Sequence, residues 1–352
     1  MKIAMISTPF LPVPPRDYGG TELVVHELVE GLIERGHDVT LFAPGDSQTT
    51  ADLRSLFPQS QWPPEMLTDL NHVTWAMRHV THSFDVVHAH SAVALALRRL
   101  VFSPPLVYTL HHEREEQLSA FYTYCHDAHF VAISADQASR EIPLPRCSVI
   151  HHGLDPSRYA WSHRPADYVC FVSRLTEVKG PHTAIDISAR AEVPIRVAGG
   201  IHPPDRGFAE RELSWRFALP HVTYLGTIGN DVKVPLLRDA RALLAPLNWN
   251  EPFGLILIEA MLSGCPVVAF GRGSVPELVE PGVTGFIVGS ADEMIGLIRP
   301  GGMLESFDRE RCRQRAVERF SRDRMVEEYE ILYARIARGT PQRKRALPSR
   351  VA

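Results

Sequence analysis

The sequence predicts an α/β protein made of two doubly wound, Rossmann-like domains that face each other across a cleft. Three observations support this. At 352 residues the chain exceeds one ordinary hydrophobic core and suits two domains. Each half alternates short apolar strands with helical patterns, the signature of parallel sheets covered by helices. Between the halves, residues 151–166, HHGLDPSRYAWSHRPA, break the alternation with Gly, Pro and polar residues. The expected division is therefore 1–158 for the first domain, 159–319 for the second, a closing helix at 320–337 and a basic tail at 338–352.

KIAMIST reads as the first strand. Its lysine and apolar run mimic a signal peptide, but prolines and Asp17 interrupt it before any cleavage site. After the Pro-rich loop PFLPVPPRDYGG, the residues Val24, Leu28 and Leu32, flanked by Val25, Val29 and Ile33, recur at helical spacing. Gly36 ends that helix and DVTLFA resumes strand character. FDVVHAH and PPLVYTLHH read as buried parallel strands ending in polar loops, whereas residues 51–84 give no usable pattern. In the second half YVCFVSRL, PIRVAGG, VTYLG, ALLAPL, PVVAF and GFIV read as strands. A helix containing Glu259 precedes PVVAF. SRDRMVEEYEILYARIAR is an amphipathic closing helix, and GTPQRKRALPSRVA after it is expected to be a mobile end.

Composition excludes several classes. Hydrophobic residues at 45% and charged residues at 22% match an ordinary globular protein, against disorder or a fibrous fold. A net charge of −4 lacks the basic excess of a nucleic-acid binder. The five cysteines are odd in number, widely spaced and never in a CxxC arrangement, against a disulfide framework or zinc knuckle and in favour of a reducing cytoplasm. No run reaches the roughly 18–20 apolar residues of a spanning helix, so any membrane contact would be peripheral.

The chemistry concentrates in NWNEPFGLILIEAMLSGCPVVAF, residues 248–270. Pro252 suits a helix's first turn, which puts Glu251 at the cap and leaves the amides of Phe253, Gly254 and Leu255 free at the positive helix end, with Gly254 admitting a close ligand. Glu259, eight residues on, would lie about 12 Å further along that helix among apolar neighbours. A carboxylate there needs hydrogen bonds, from the two vicinal hydroxyls of a ribose or from a nearby Arg or backbone amides. In FVSRLTEVKG, Arg174 and Lys179 follow a strand, where two cations could neutralise a diphosphate or simply lie at the surface. In DYGGTE, Gly19 and Gly20 precede a helix and form a candidate phosphate-approach loop. TLHHE offers His111 or His112 at a strand end, and DVVHAH adds His88 and His90 on one strand face; with 17 histidines in the chain, a structural role competes for each.

Together these residues resemble a known family. EPFGLILIE resembles the E-x7-E motif of the retaining glycosyltransferases of family 4, SRLTEVKG resembles their Arg-and-Lys phosphate motif, and GGTELVVHELVEGLIERGHDVTLFA resembles their acceptor-side domain. The likeness runs from about residue 1 to 337. It implies a GT-B fold whose C-terminal domain holds a nucleotide sugar and whose last helix crosses back to the first domain. At matching positions Glu259 would bind the ribose, Glu251 the hydroxyls of the transferred sugar, and Arg174 with Lys179 the diphosphate. Gly20 would approach the diphosphate from the other domain, with Gly19 beside it. His111 would approach the reaction centre, and YLGTIGNDVK, near Ile228, would meet the base through its backbone.

The resemblance further implies hexose transfer with retention, UDP-glucose being the favoured donor and GDP-mannose the second, to a small-molecule, glycan or lipid-linked acceptor. No cofactor or metal is expected, and the absence of a D-x-D motif agrees with this. The connector departs from the family pattern at VIHHGLD, leaving His151 and His152 as hinge residues or more. A nucleotide-sugar epimerase on the same fold, a non-catalytic nucleotide-sugar-binding protein and a dehydrogenase are the rivals; the last lacks a G-x-G-x-x-G after the first strand.

Overall fold

A computed structural model describes residues 1–80, 83–98 and 104–338. The expected basic tail lies almost wholly outside the described residues.

The first domain holds seven parallel strands: β1 (Lys2–Ile6), β2 (Asp38–Phe42), β3 (Asp52–Arg54), β4 (Val86–Ala89), β5 (Leu106–Thr109), β6 (His129–Ala132) and β7 (Cys147–Val149), in the order β3-β2-β1-β4-β5-β6-β7. The second holds β8 (Val169–Val172), β9 (Ile195–Ala198), β10 (Val222–Tyr224), β11 (Leu243–Ala245), β12 (Val267–Phe270) and β13 (Gly285–Val288), in the order β10-β9-β8-β11-β12-β13. Every pairing is parallel. The order in which strands are added reverses once in each sheet, between β1 and β4 and between β8 and β11. In such sheets ligands sit at the carboxyl ends of the strands beside these switch points.

The helices that position the cleft are α1 (Gly20–Glu34), α2 (Met66–His79), α3 (Ala135–Arg140), α4 (Pro181–Arg190), α5 (Asn230–Asp239), α6 (Leu255–Leu262), α7 (Arg309–Phe320) and α8 (Arg322–Arg338). Val24, Leu28 and Leu32 of α1 are fully buried in one core with Met325, Tyr329 and Tyr333 of α8, so the closing helix completes the first domain. Each such side chain contributes about 1.5–3 kcal/mol of burial, which fixes α8 to a domain remote in sequence. Leu154 bridges Ser321 at the crossing point, and the expected boundary at 158/159 falls in the connection between β7 and β8. The segment without a readable pattern forms β3 and α2, whose Val73, Ala76 and Met77 cover the opposite face of the sheet.

One expectation needs correction. The helix of Glu259 begins at Leu255, and Pro252 and Phe253 precede it in extended or turn conformation. Gly254 caps the helix at φ 87°, a left-handed conformation that a side chain at this position would strain. Glu251 therefore stands outside the helix, and the separation of about 12 Å along one axis does not apply.

Candidate active site

A cleft of about 570 Å³ separates the domains. It is lined by Gly19, Gly20, His111, Arg174, Lys179, Ile228, Glu251, Phe253, Gly254, Leu255 and Glu259, together with His112 and His152, whereas His88, His90 and His151 are not among its lining residues. Its size suits a ligand of nucleotide-sugar dimensions.

Two helix N-termini meet across it. Gly20, the first residue of α1, lies so close to Leu255, the first residue of α6, that a Cβ on Gly20 would stand 3.3 Å from Leu255 Cδ1. Each terminus carries unpaired amides and the positive end of a helix dipole, so the two together favour an anion between the domains. Gly254 is the cap of α6, so Phe253 lies one residue outside the helix.

The two glutamates share a design. Glu259 is 3% exposed, and its Oε1 accepts from Lys233 Nζ at 2.6 Å and from the Tyr159 hydroxyl at 3.1 Å. Glu251 is 8% exposed, and its Oε2 accepts from Lys179 Nζ and, at 3.1 Å, from Trp249 Nε1. The Lys179 ammonium also lies 4.5 Å from the centre of the Trp249 ring. In each case a cation and an aromatic donor occupy one carboxylate oxygen, and the other has no hydrogen-bond partner among the described residues. Of the two Glu259 oxygens, only Oε2 is without a hydrogen-bond partner among the described residues. The partner of Oε1 proves to be neither Arg nor a backbone amide but Lys233, on the first turn of α5, and Tyr159, from the connector.

Arg174, just past β8, makes no ion pair among the described residues, and its Nε is buried without a hydrogen-bond partner. An unpartnered guanidinium beside two helix N-termini is a ready anion site. Lys179 differs, being already paired with Glu251.

The histidines form a continuous group. His88 and His90 project to one face of β4 and its end, with ring centroids 4.4 Å apart. His90 Nδ1 lies 2.7 Å from His111 Nε2, and His111 stacks on His152 at 5.5 Å and 18°. Burial, reinforced by neighbouring imidazoles, pushes His88, His90, His111 and His152 below the ordinary histidine range, so the group is neutral. His112 also lines the cleft, and its ring nitrogens lie 3.0 Å from the Tyr122 hydroxyl and 2.7 Å from the Glu113 carbonyl.

The connector histidines serve the domain interface. His151 Nε2 meets Glu277 at 3.1 Å, and the same carboxylate accepts from the first amides of α3, Ala135 at 2.8 Å and Asp136 at 2.5 Å. Ser134 Oγ donates across the cleft to the Pro252 carbonyl at 2.7 Å. Among the described residues no three His, Cys, Asp or Glu side chains converge as a metal-ligand set, and no helix is long and apolar enough to cross a membrane.

Sequence reasoning did not single out Lys233, Tyr159 or Trp249. A buried carboxylate demands a cation, and Lys233 stood within the quoted NDVK, but nothing local tied it to Glu259, 26 residues away.

Comparison with known proteins places the chain. Residues 18–158 match the model of Glycosyltransferase Family 4, and residues 162–299 match that of Glycosyl transferases group 1. A glycogen synthase of Mycobacterium tuberculosis is 25% identical over 348 residues, covering 81% of each chain. A sucrose-phosphate synthase from Thermosynechococcus elongatus superposes with a TM-score of 0.80 at 20% identity, over 97% of this chain and 100% of that one. Anabaena HepE, solved in complex with UDP and glucose, superposes with a TM-score of 0.76 at 21% identity, over 95% and 100%. The chain belongs to the family-4 glycosyltransferases, enzymes of the GT-B fold with two Rossmann-like domains.

Proposed function

We propose that the enzyme transfers a hexose from UDP-glucose to an acceptor hydroxyl with retention of anomeric configuration and without a metal. The observation that carries this reading is the pair of cleft glutamates, each with one oxygen held by a lysine and an aromatic donor and the other open. Glu259 Oε2 accepts from the ribose, and Glu251 Oε1 accepts from a hydroxyl of the transferred sugar. As the anomeric C–O bond breaks, negative charge gathers on the diphosphate. The unpartnered Arg174, Lys179 released in part from Glu251, and the N-termini of α1 and α6 stabilise that charge. Gly19 and Gly20 admit the diphosphate to the α1 terminus, and the turn at Ile228 meets the base through its backbone. His111 contacts the sugar from the acceptor-side domain. The acceptor hydroxyl attacks from the face the diphosphate leaves, held there by closure of the domains through Glu277 and Ser134.

The complex of Anabaena HepE with UDP and glucose supports UDP-glucose over GDP-mannose. Five cysteines, odd in number, widely spaced and never in a CxxC arrangement, suit a reducing cytoplasm. The acceptor is a small molecule, a glycan or a lipid-linked sugar. The test is release of UDP or GDP from UDP-glucose and GDP-mannose across an acceptor panel, with the anomeric coupling of the product read by proton NMR. An α-linked glucoside is expected. A β-linked product would refute retention, and GDP release alone would refute the donor.

A further inference from the structure

The group of histidines contains a directional hydrogen-bond chain that ends at the cleft. It starts at Met5 on β1, whose thioether sulfur lies 3.2 Å from His90 Nε2. A thioether has no proton and acts only as an acceptor, so this contact is attractive when His90 Nε2 carries the hydrogen and repulsive between lone pairs when it does not. A neutral imidazole holds one proton. With Nε2 protonated, His90 Nδ1 is an acceptor, and the atom 2.7 Å away, His111 Nε2, must be the donor. His111 then has its own single proton committed to His90. Its Nδ1 is left with a lone pair and no hydrogen-bond partner among the described residues, on a ring that lines the cleft.

The surroundings hold this arrangement in place. His90 is 5% exposed and His152 3%, so water does not compete for the chain, and burial disfavours a second proton on either ring. The His152 ring stacks on His111 and meets the edge of Phe253 at 4.8 Å, which fixes the plane of His111. On the other side, His88 lies between the Tyr333 hydroxyl at 2.6 Å and Thr109 Oγ1 at 2.8 Å, and Thr109 is 3.0 Å from the Tyr329 hydroxyl, tying the group to α8.

We propose that His90 is a positioning residue: locked by Met5, it sets the tautomer of His111 so that His111 Nδ1 presents a hydrogen-bond acceptor to a hydroxyl of the transferred sugar. The part concerning the sugar rests on the reading of the cleft as a donor site, whereas the tautomer is a property of the free protein. Selectivity follows from it, since His111 recognises a group that donates and offers nothing to an oxygen that only accepts.

The two parts are tested separately. In the full-length protein labelled with ¹⁵N at histidine, long-range ¹H–¹⁵N spectra distinguish the two neutral tautomers, and loss of a signal in His90→Gln and His111→Gln assigns each ring. Both rings are expected as Nε2–H tautomers near pH 7, and Met5→Leu is expected to convert them to a mixture. An Nδ1–H or doubly protonated His111, or spectra unchanged in Met5→Leu, would overturn the lock. For the second part, His90→Phe keeps a ring in the space but leaves His111 Nε2–H without its acceptor. Turnover of UDP-glucose is expected to fall by about tenfold or more with affinity for UDP unchanged, and His90→Gln, whose amide oxygen accepts, to recover part of it. A folded His90→Phe with native kcat would overturn the positioning role. A native protein that neither binds nor consumes UDP-glucose would instead refute the proposed function, with the tautomer result still readable.

Discussion

Glu259 permits a graded prediction, because its two oxygens have different duties. Oε1 is committed to Lys233 and Tyr159, and the Lys233 and Glu259 side chains are only 13% and 4% exposed. Glu259→Gln retains an acceptor for both donors and turns the open position from a carboxylate oxygen into an NH₂ group. A ribose hydroxyl that donated to the carboxylate must then rotate and accept from the amide. The loss is the difference between a hydrogen bond to a charged group, about 1.5–3 kcal/mol, and a neutral one, about 0.5–1.5 kcal/mol. UDP binding should weaken by about 1 kcal/mol, roughly fivefold. Glu259→Ala removes the contact altogether but also strands Lys233, and removing one partner of a buried pair costs about 3–5 kcal/mol of folding stability. Glu259→Leu with Lys233→Met avoids the stranded charge. It should unfold in urea below the native midpoint only by the cost of the Tyr159 hydroxyl left without its acceptor, about 1–3 kcal/mol, and yet stay folded and bind UDP about 1.5–3 kcal/mol more weakly, on the order of 10- to 150-fold. Titration calorimetry reads the affinities. A folded double variant that binds UDP within about twofold of the native chain would refute the assignment of Oε2 to the ligand.

Other outcomes follow from the same geometry. Lys179→Ala should lower kcat by about 100-fold or more, as for loss of one donor to a developing anion, and should also lower the melting temperature because it strands the buried Glu251 carboxylate; native turnover of the folded variant would remove Lys179 from the leaving-group site. Prolonged chelation should leave transfer intact, and a loss restored by Mg²⁺ would contradict the metal-free reaction. Burial pushes Glu27 up from 4.5 to about 7, against the opposing pull of Arg158 and Arg322. With its folded pKa raised, Glu27 holds its proton more tightly folded than unfolded, so native stability declines as pH rises from about 4.5 to 7 and is flat above that. Glu27→Gln should reduce this decline in urea unfolding, and an identical pH profile in the variant would refute the shift.

What the sequence revealed and what it concealed divide along physical lines. The α1 stripe of Val24, Leu28 and Leu32 is a local periodic pattern and gave its helix directly. The motif residues Arg174, Lys179, Glu251 and Glu259 follow strands whose order puts their carboxyl ends at a switch point, so their convergence was legible. The start of α6 was not. Pro252 fits a first helical turn, but the left-handed Gly254 resets the cap three residues later, and a backbone dihedral of that kind leaves no periodic trace. Partnerships were concealed for a different reason. Lys233 with Glu259, Tyr159 with Glu259 and His90 with His111 join separate elements, and sequence patterns report faces rather than distances. β3 and α2 were missed because β3 is three residues long and partly exposed, and because exposed Met66 and Leu67 blur the stripe of α2.

The central claim is that the cleft binds a uridine diphosphate sugar. It is tested most directly by calorimetric titration of the native protein with UDP, UDP-glucose, GDP and GDP-mannose, with the Glu259→Leu/Lys233→Met variant in parallel. UDP and UDP-glucose are expected to bind at one site per chain, more tightly than the guanosine ligands, and to be weakened in the variant. Binding confined to the guanosine pair, or no binding of any of the four to a folded sample, would contradict the account.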